Sequence, residues 1–131
     1  MNICIIGDGL TSLSLAKKLV NQKICVHMYH KTKKNKLFPN RTIGISEDNL
    51  EFFQNEILKI NKKYLWKINQ IEVFSETIKE NRILNFEKNK KNLFSMIKNE
   101  KLYNILNRNL LKNIFFQKKL IKSENFYKKI L

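Results

Sequence analysis

Near the N-terminus an apolar run, Ile3 to Ile6, passes directly into Gly7-Asp8-Gly9, and from Leu10 onward Leu13, Ala16, Leu19 and Val20 recur at helical spacing. A short apolar run closed by glycine predicts a central parallel strand buried on both faces. Lys17 and Lys18 fall on the other side of the helical pattern, which stops near Asn21. Ile24 to Tyr29 is again β-prone and mostly apolar. Strand, tight turn, helix and strand within about 30 residues make a βαβ unit, which brings two parallel strands together through a right-handed crossover.

The rest of the chain calls for an α/β fold with a small additional antiparallel sheet. Residues 31 to 40 hold several lysines and the single proline, Pro39, and form an exposed loop. Ser46 is placed to cap a helix, with Glu47, Asp48 and Glu51 supplying negative charge at its start and Leu50, Phe53 and Ile57 its buried stripe. Tyr64 to Ile68 is an aromatic patch of undefined form. Gln70 to Phe74, Arg82 to Phe86 and Leu93 to Ile97 partly alternate and are expected as strands of the antiparallel sheet. Leu102, Ile105, Leu106 and Leu110 share one helical face between Glu100 and Lys112, Ile114 to Gln117 adds a further strand, and the last ten residues form a weak amphipathic tail.

Length and composition narrow the function classes. The 131 residues suffice for one core, so residues 1–131 are expected to be a single domain. A net charge of +15 would attract phosphate-bearing partners. Yet 23 Lys, 18 Asn and 17 Ile, residue types with A/T-rich codons, account for much of the chain. Arginine, whose planar fork reads phosphates and base edges, occurs only at Arg41, Arg82 and Arg108. Nucleic-acid binding is therefore disfavoured. Cys4 and Cys25 lie in apolar runs without metal-ligand spacing and are expected to be buried thiols in a reducing compartment. With no export signal and no membrane-length apolar segment, the chain is placed in the cytoplasm, with peripheral contact at the inner face of a membrane open to its basic surface.

Chemistry enters at the glycine turn. Gly7-Asp8-Gly9-Leu10-Thr11-Ser12 sits between strand and helix, where a Rossmann-like dinucleotide fingerprint belongs. Gly7 permits the tight turn, Gly9 lets the backbone approach a diphosphate, and the helix from Leu10 directs free N–H groups at the anion. Ser12 stands in place of the third glycine. Asp8 would repel a diphosphate unless its side chain turns away. The acidic residue usual at the end of the second strand, which accepts from ribose hydroxyls, is replaced by His30; a hydroxyl contact and an ordinary strand-end histidine both remain open. His27 is taken as an ordinary strand residue. The plainer alternative, a strand-to-helix connection without a ligand, is outweighed by the position and spacing of the glycines and by the strand that follows.

The opening MNICIIGDGLTSLSLAKKL, the later NRTIGIS (Asn40 to Ser46) and FSMIKNEKLYNIL (Phe94 to Leu106), in that order and spacing, resemble the N-terminal part of the FAD-dependent hydroxylases of ubiquinone biosynthesis, in the aromatic-hydroxylase class of flavin monooxygenases. The resemblance implies an FAD-binding module with NAD(P)H as reductant, O₂ as oxidant and an aromatic or quinone-precursor substrate. It implies cofactor-binding roles for Gly7, Gly9, Leu10, Thr11, Ser12, His30 and Arg41, with Arg41 as the arginine after the second strand. Asn99 matches the asparagine that opens a later helix, while its usual arginine neighbour is Glu100 here. Members of that family are longer, so the chain is expected to be incomplete relative to them, lacking the later flavin motifs and most of the substrate pocket. It is expected to be poorly soluble alone or to need a complementary chain or other quinone-synthesis proteins.

No catalytic triad, metal site or carboxylate pair is evident, as suits chemistry carried by a flavin. Two other classes stay open. A non-catalytic basic module would bind anionic surfaces or a partner in a salt-dependent way without flavin. A small NAD(P)-binding protein would use Lys31, Lys33 and Lys34 near His30 to hold a 2′-phosphate.

Overall fold

A computed structural model describes residues 1–31, 41–75, 82–87 and 92–121. In chain order these form β1 (Asn2–Ile6), α1 (Leu10–Asn21), β2 (Cys25–His30), β3 (Thr42–Ser46), α2 (Glu47–Glu56), β4 (Trp66–Ile68), β5 (Gln70–Phe74), β6 (Arg82–Glu87), β7 (Phe94–Lys98), α3 (Asn99–Leu111) and β8 (Phe116–Leu120). The mixed α/β fold expected from the sequence is the fold observed. Most of the loop expected at residues 31 to 40, and the amphipathic tail, lie outside the described residues.

β2 is the central strand of a parallel sheet ordered β1-β2-β8, in which Ile3 lies beside Val26 and Val26 beside Phe116. Side chains alternate across the sheet. Val26 and Met28 therefore point to one face, where they are fully buried with Leu13 of α1 and Leu106 and Leu110 of α3. Both helices cover that same face. On the opposite face the expectation for β1 fails: Cys4 is exposed, Ile6 is 51% exposed and Cys25 is only half-buried. Among the described residues β1 is the edge of this sheet, and Cys4 and Ile6 lie exposed on its other side. The continuous apolar run marked a strand but not two-sided burial.

Helix α1 is anchored at its C-terminal end. Lys17 is 8% exposed, its amine donates to Asn21 Oδ1 at 2.7 Å, and burial pushes its pKa below the ordinary lysine value. After the helix, Lys23 takes φ +60, a left-handed position that glycine usually fills. Asn21 Nδ2 donates to the Ile57 carbonyl at 2.9 Å and to the Glu56 carbonyl at 3.3 Å, and Lys18 pairs with Glu56. These contacts satisfy carbonyls that the end of α2 would leave open. At the other end of α2, Ser46 Oγ accepts the Asn49 amide at 3.4 Å, with Glu47 and Asp48 in the first turn, as the sequence predicts. Leu50, Phe53 and Ile57 pack against the core but are half-buried, because α2 rides on the rim of the antiparallel sheet.

The three strands assigned to one antiparallel sheet separate into two. β7 is the centre of a sheet ordered β3-β7-β4, with Ile97 fully buried, whereas among the described residues β5 and β6 pair only with each other. The aromatic patch resolves into a short 3₁₀ turn at Lys62–Tyr64 followed by β4. The last strand is displaced from Ile114–Gln117 to Phe116–Leu120, since Asn113 and its side chain first close a turn on Phe115 and Phe116.

The β5–β6 hairpin has two unlike faces. Ile71 opposes Phe86 and Val73 opposes Leu84 on one, while Gln70, Glu72 and Asn85 hydrogen-bond on the other and Arg82 pairs with Glu72 at 2.7 Å. Leu84 and Phe86 are each 50% exposed. An exposed apolar face on a two-stranded ribbon favours association. The pair Val73→Lys and Leu84→Glu, oppositely charged across the ribbon, is expected to raise the monomer fraction by light scattering while leaving the main thermal transition within a few degrees. Unchanged scattering would place the associating surface elsewhere.

Candidate functional site

The glycine turn is held from both sides. Gly7 has φ +101, a region L side chains rarely enter, and its N–H donates to the Tyr29 carbonyl at 2.7 Å. That bond ties the end of β1 to the end of β2. Gly9 is the N-cap of α1 at φ −70 and ψ 174, and its carbonyl accepts the first intrahelical bond from Leu13 at 2.9 Å. The amides of Leu10, Thr11 and Ser12 precede that bond. No side chain caps them and no acidic residue lies in the first turn. Together with the helix dipole they form an anion-accepting terminus.

A diphosphate fits this turn by one direct criterion. A Cβ built on Gly9 meets nothing within 4 Å, so the space in front of the backbone is open. Ser12 Oγ lies 3.7 Å from the place a Gly7 Cβ would occupy, and is therefore packed over the turn. Thr11 is exposed and Leu10 packs against the core.

Beside the turn, at the C-terminal ends of the parallel strands, lies a pocket of 290 Å³ lined by Ile6, Gly7, Asp8, Tyr29, His30, Lys31 and Ile121. This is where open α/β sheets place their ligands. Ile121 closes the β8 side through its N–H to the His30 carbonyl at 2.8 Å. The Asp8 carboxylate is 12% exposed and faces α3 and β8: Oδ2 lies 2.8 Å from Lys118 Nζ, accepts from Tyr103 Oη at 3.3 Å, and is 3.9 Å from His30 Nδ1. Lys118 Nζ also donates to Tyr103 Oη at 3.2 Å and Asn107 Oδ1 at 3.3 Å. Burial lowers the Lys118 pKa, but the hydrogen bonds to Asp8 and Tyr103, with their charges, outweigh it and leave the pKa above the ordinary value. On the lysine side the contribution to stability is fully present below the ordinary lysine pKa and is lost as pH rises through the elevated folded-state value.

The structure gathers Gly7, Gly9, Leu10, Thr11 and Ser12 in one turn and sets His30 on the wall of the adjoining pocket. Arg41 is exposed, precedes β3 and does not line the pocket. Its carbonyl accepts the Asn99 amide at 2.8 Å, which brings together the two residues singled out in the middle and later segments. Lys33 and Lys34 lie outside the described residues. Sequence reasoning did not assign Tyr103, Asn107 or Lys118 to the site. The available signal was Lys118 in alternating FQKKL, on the inward side of its strand. Among the described residues no cluster of His, Cys, Asp or Glu could hold a metal ion, and no helix is long and apolar enough to cross a membrane.

No family model and no curated protein matches the sequence. Solved structures do. The chain is similar to p-nitrophenol 4-monooxygenase from Pseudomonas putida, at 12% identity and a TM-score of 0.72, over 91% of this chain and 32% of that one. It is similar to a protein described as an FAD-containing monooxygenase from Photorhabdus luminescens, at 22% identity and a TM-score of 0.64, over 90% and 30%. A third is 2,6-dihydroxypyridine-3-hydroxylase from Arthrobacter nicotinovorans, at 12% identity and a TM-score of 0.61, over 89% and 28%. The chain has the fold of the corresponding part of these monooxygenases and spans about a third of their length.

The two glycines are expected to respond differently to a methyl group. Gly7→Ala should cost about 1–2 kcal/mol of stability from left-handed strain, whereas Gly9→Ala, at a φ any residue adopts, should cost less, limited to the preference for glycine over alanine at an N-cap. Thermal denaturation checks this, and equal losses at both positions would refute the open approach at Gly9.

Proposed function

We propose that the Gly7–Ser12 turn binds the diphosphate of FAD, and that the chain is the dinucleotide-binding portion of a flavin-dependent monooxygenase of the kind that hydroxylates aromatic rings in ubiquinone biosynthesis. The observation that carries this reading is the uncapped start of α1, with three amides ahead of its first intrahelical bond and open space before Gly9. The fold shared with the monooxygenases above supports the cofactor, and the segment resemblance supports the quinone-precursor substrate.

In this reading Leu10, Thr11 and Ser12 donate N–H groups to the diphosphate, Gly9 allows the close approach, and His30 offers a ring nitrogen to a ribose hydroxyl. Arg41, fixed through its backbone to Asn99, is a supplementary contact. The bound flavin supplies the redox and oxygen chemistry, with NAD(P)H as reductant. This chain's residues hold and orient it. The substrate pocket belongs to the part of the family's length that the chain does not span, supplied by further sequence or by a complementary chain.

A second reading follows from Lys31, which lines the pocket beside His30 and brings a cation to the site expected for a 2′-phosphate. Titration of the purified chain with FAD and separately with NADPH, followed by flavin fluorescence and thermal stability, separates the two. Saturable FAD binding should stabilise the chain by about 2.7 kcal/mol at a hundredfold excess over Kd, and Gly9→Val should abolish this ligand-induced stabilisation while the ligand-free variant still unfolds cooperatively. Stabilisation by NADPH alone would favour the second reading. No response to either nucleotide would reduce the turn to a strand-to-helix connection.

A further inference from the structure

A carboxylate in the middle of a diphosphate-binding turn is an electrostatic contradiction, and the structure shows how the chain resolves it. Asp8 stands between Gly7 and Gly9, one residue before the N-cap of α1. An unneutralised charge there would cancel part of the positive potential of the helix terminus and oppose any phosphate reaching Leu10, Thr11 and Ser12. The ammonium that meets it comes from β8, the strand on the far side of β2.

The counter-charge is held in a built setting. Lys118 is 14% exposed on its side chain, and its three acceptors, Asp8 Oδ2, Tyr103 Oη and Asn107 Oδ1, match the three hydrogens of an ammonium group. Tyr103, itself buried on α3, donates to the same carboxylate oxygen. The helix packed on the sheet and the sheet's own third strand thus draw the Asp8 side chain toward α3 and β8, and His30 faces it from the end of β2.

We propose that Lys118 is the positioning residue that makes this turn able to accept a nucleoside diphosphate group: it neutralises Asp8 and, with Tyr103, holds the carboxylate away from the α1 amides. The proposal rests on the reading of the Gly7–Ser12 turn as a diphosphate site. Lys118 does not touch the ligand and acts only through Asp8. Removing the ammonium exposes a like charge to the incoming diphosphate, and removing both charges restores a neutral turn.

The test is calorimetric titration of the full chain with ADP at low salt, for the natural chain, Lys118→Met, Asp8→Asn, the Lys118→Met and Asp8→Asn double variant, and Lys118→Arg, with circular dichroism to confirm folding. Lys118→Met is expected to weaken ADP binding by roughly ten- to a hundredfold, with the loss shrinking as salt screens the repulsion. The double variant is expected to return to within about threefold of the natural chain, since a neutral amide no longer opposes the phosphate. Asp8→Asn alone and Lys118→Arg should each bind more tightly than Lys118→Met. A purely structural Lys118 would not be rescued by a second change at Asp8. If the natural chain binds ADP while the folded double variant stays as weak as Lys118→Met, or Lys118→Met binds normally, the proposal is overturned and the diphosphate site stands. Should Lys118→Met fail to fold, weaker binding by folded Asp8→Asn than by the natural chain overturns it instead. Absence of ADP binding by the natural chain overturns both.

Discussion

Pairing along both edges of β2 is the constraint from which the remaining structure follows. Its register with β1 fixes where Gly7 can reach the Tyr29 carbonyl, and its register with β8 fixes which residue of that strand stands opposite the end of the turn. Burial of Val26 and Met28 on the helical face requires α1 and α3 to lie side by side, which carries Tyr103 to Asp8. The site is therefore composed of strand ends, a helix start and one helix flank that have no reason to meet except through this strand.

The two kinds of sheet divide the work. The parallel sheet presents its C-terminal ends, where backbone N–H groups and a pocket coincide, while the β3-β7-β4 sheet braces α2 and delivers the start of α3. Arg41 and Asn99 sit where that second sheet begins and ends, joined by one backbone hydrogen bond. Their placement accounts for two separated segments of sequence acting as neighbours, although it leaves Arg41 outside the pocket wall. Among the described residues, Cys4 and Ile6 on one side of the parallel sheet and Leu84 and Phe86 on the β5–β6 ribbon are exposed, and the chain spans about a third of the length of the monooxygenase structures it resembles.

What could be read from the sequence was local. The glycine turn, the three amphipathic helices, the Ser46 cap and the β character of most strands each declare themselves within a dozen residues, by periodicity or capping chemistry. What could not be read was the partner of each strand. The same alternation in Gln70 to Phe74 and Phe94 to Lys98 fits one antiparallel sheet or two, and an unbroken run such as Ile3 to Ile6 suits a central strand or an edge. Cys4 was misjudged for that reason. Asp8 was recognised as a difficulty within the turn, but its solution lies in Lys118, which no spacing rule connects to it. Nothing in the residues around Arg41 betrayed that it would sit beside Asn99.

The register of Val26 with Phe116 has a temporal consequence. β1, α1 and β2 are contiguous and can associate early, but the other edge of β2 must wait for a strand separated from it by both antiparallel sheets and α3. Closing so long a loop is slow, and contacts of high sequence separation dominate the barrier in folds of this kind. Until β8 docks, Val26 lacks Phe116 beside it and Asp8 lacks the Lys118 ammonium. The Gly7–Ser12 turn, though it lies early in the chain, is thus completed only when β8 brings Lys118 to Asp8.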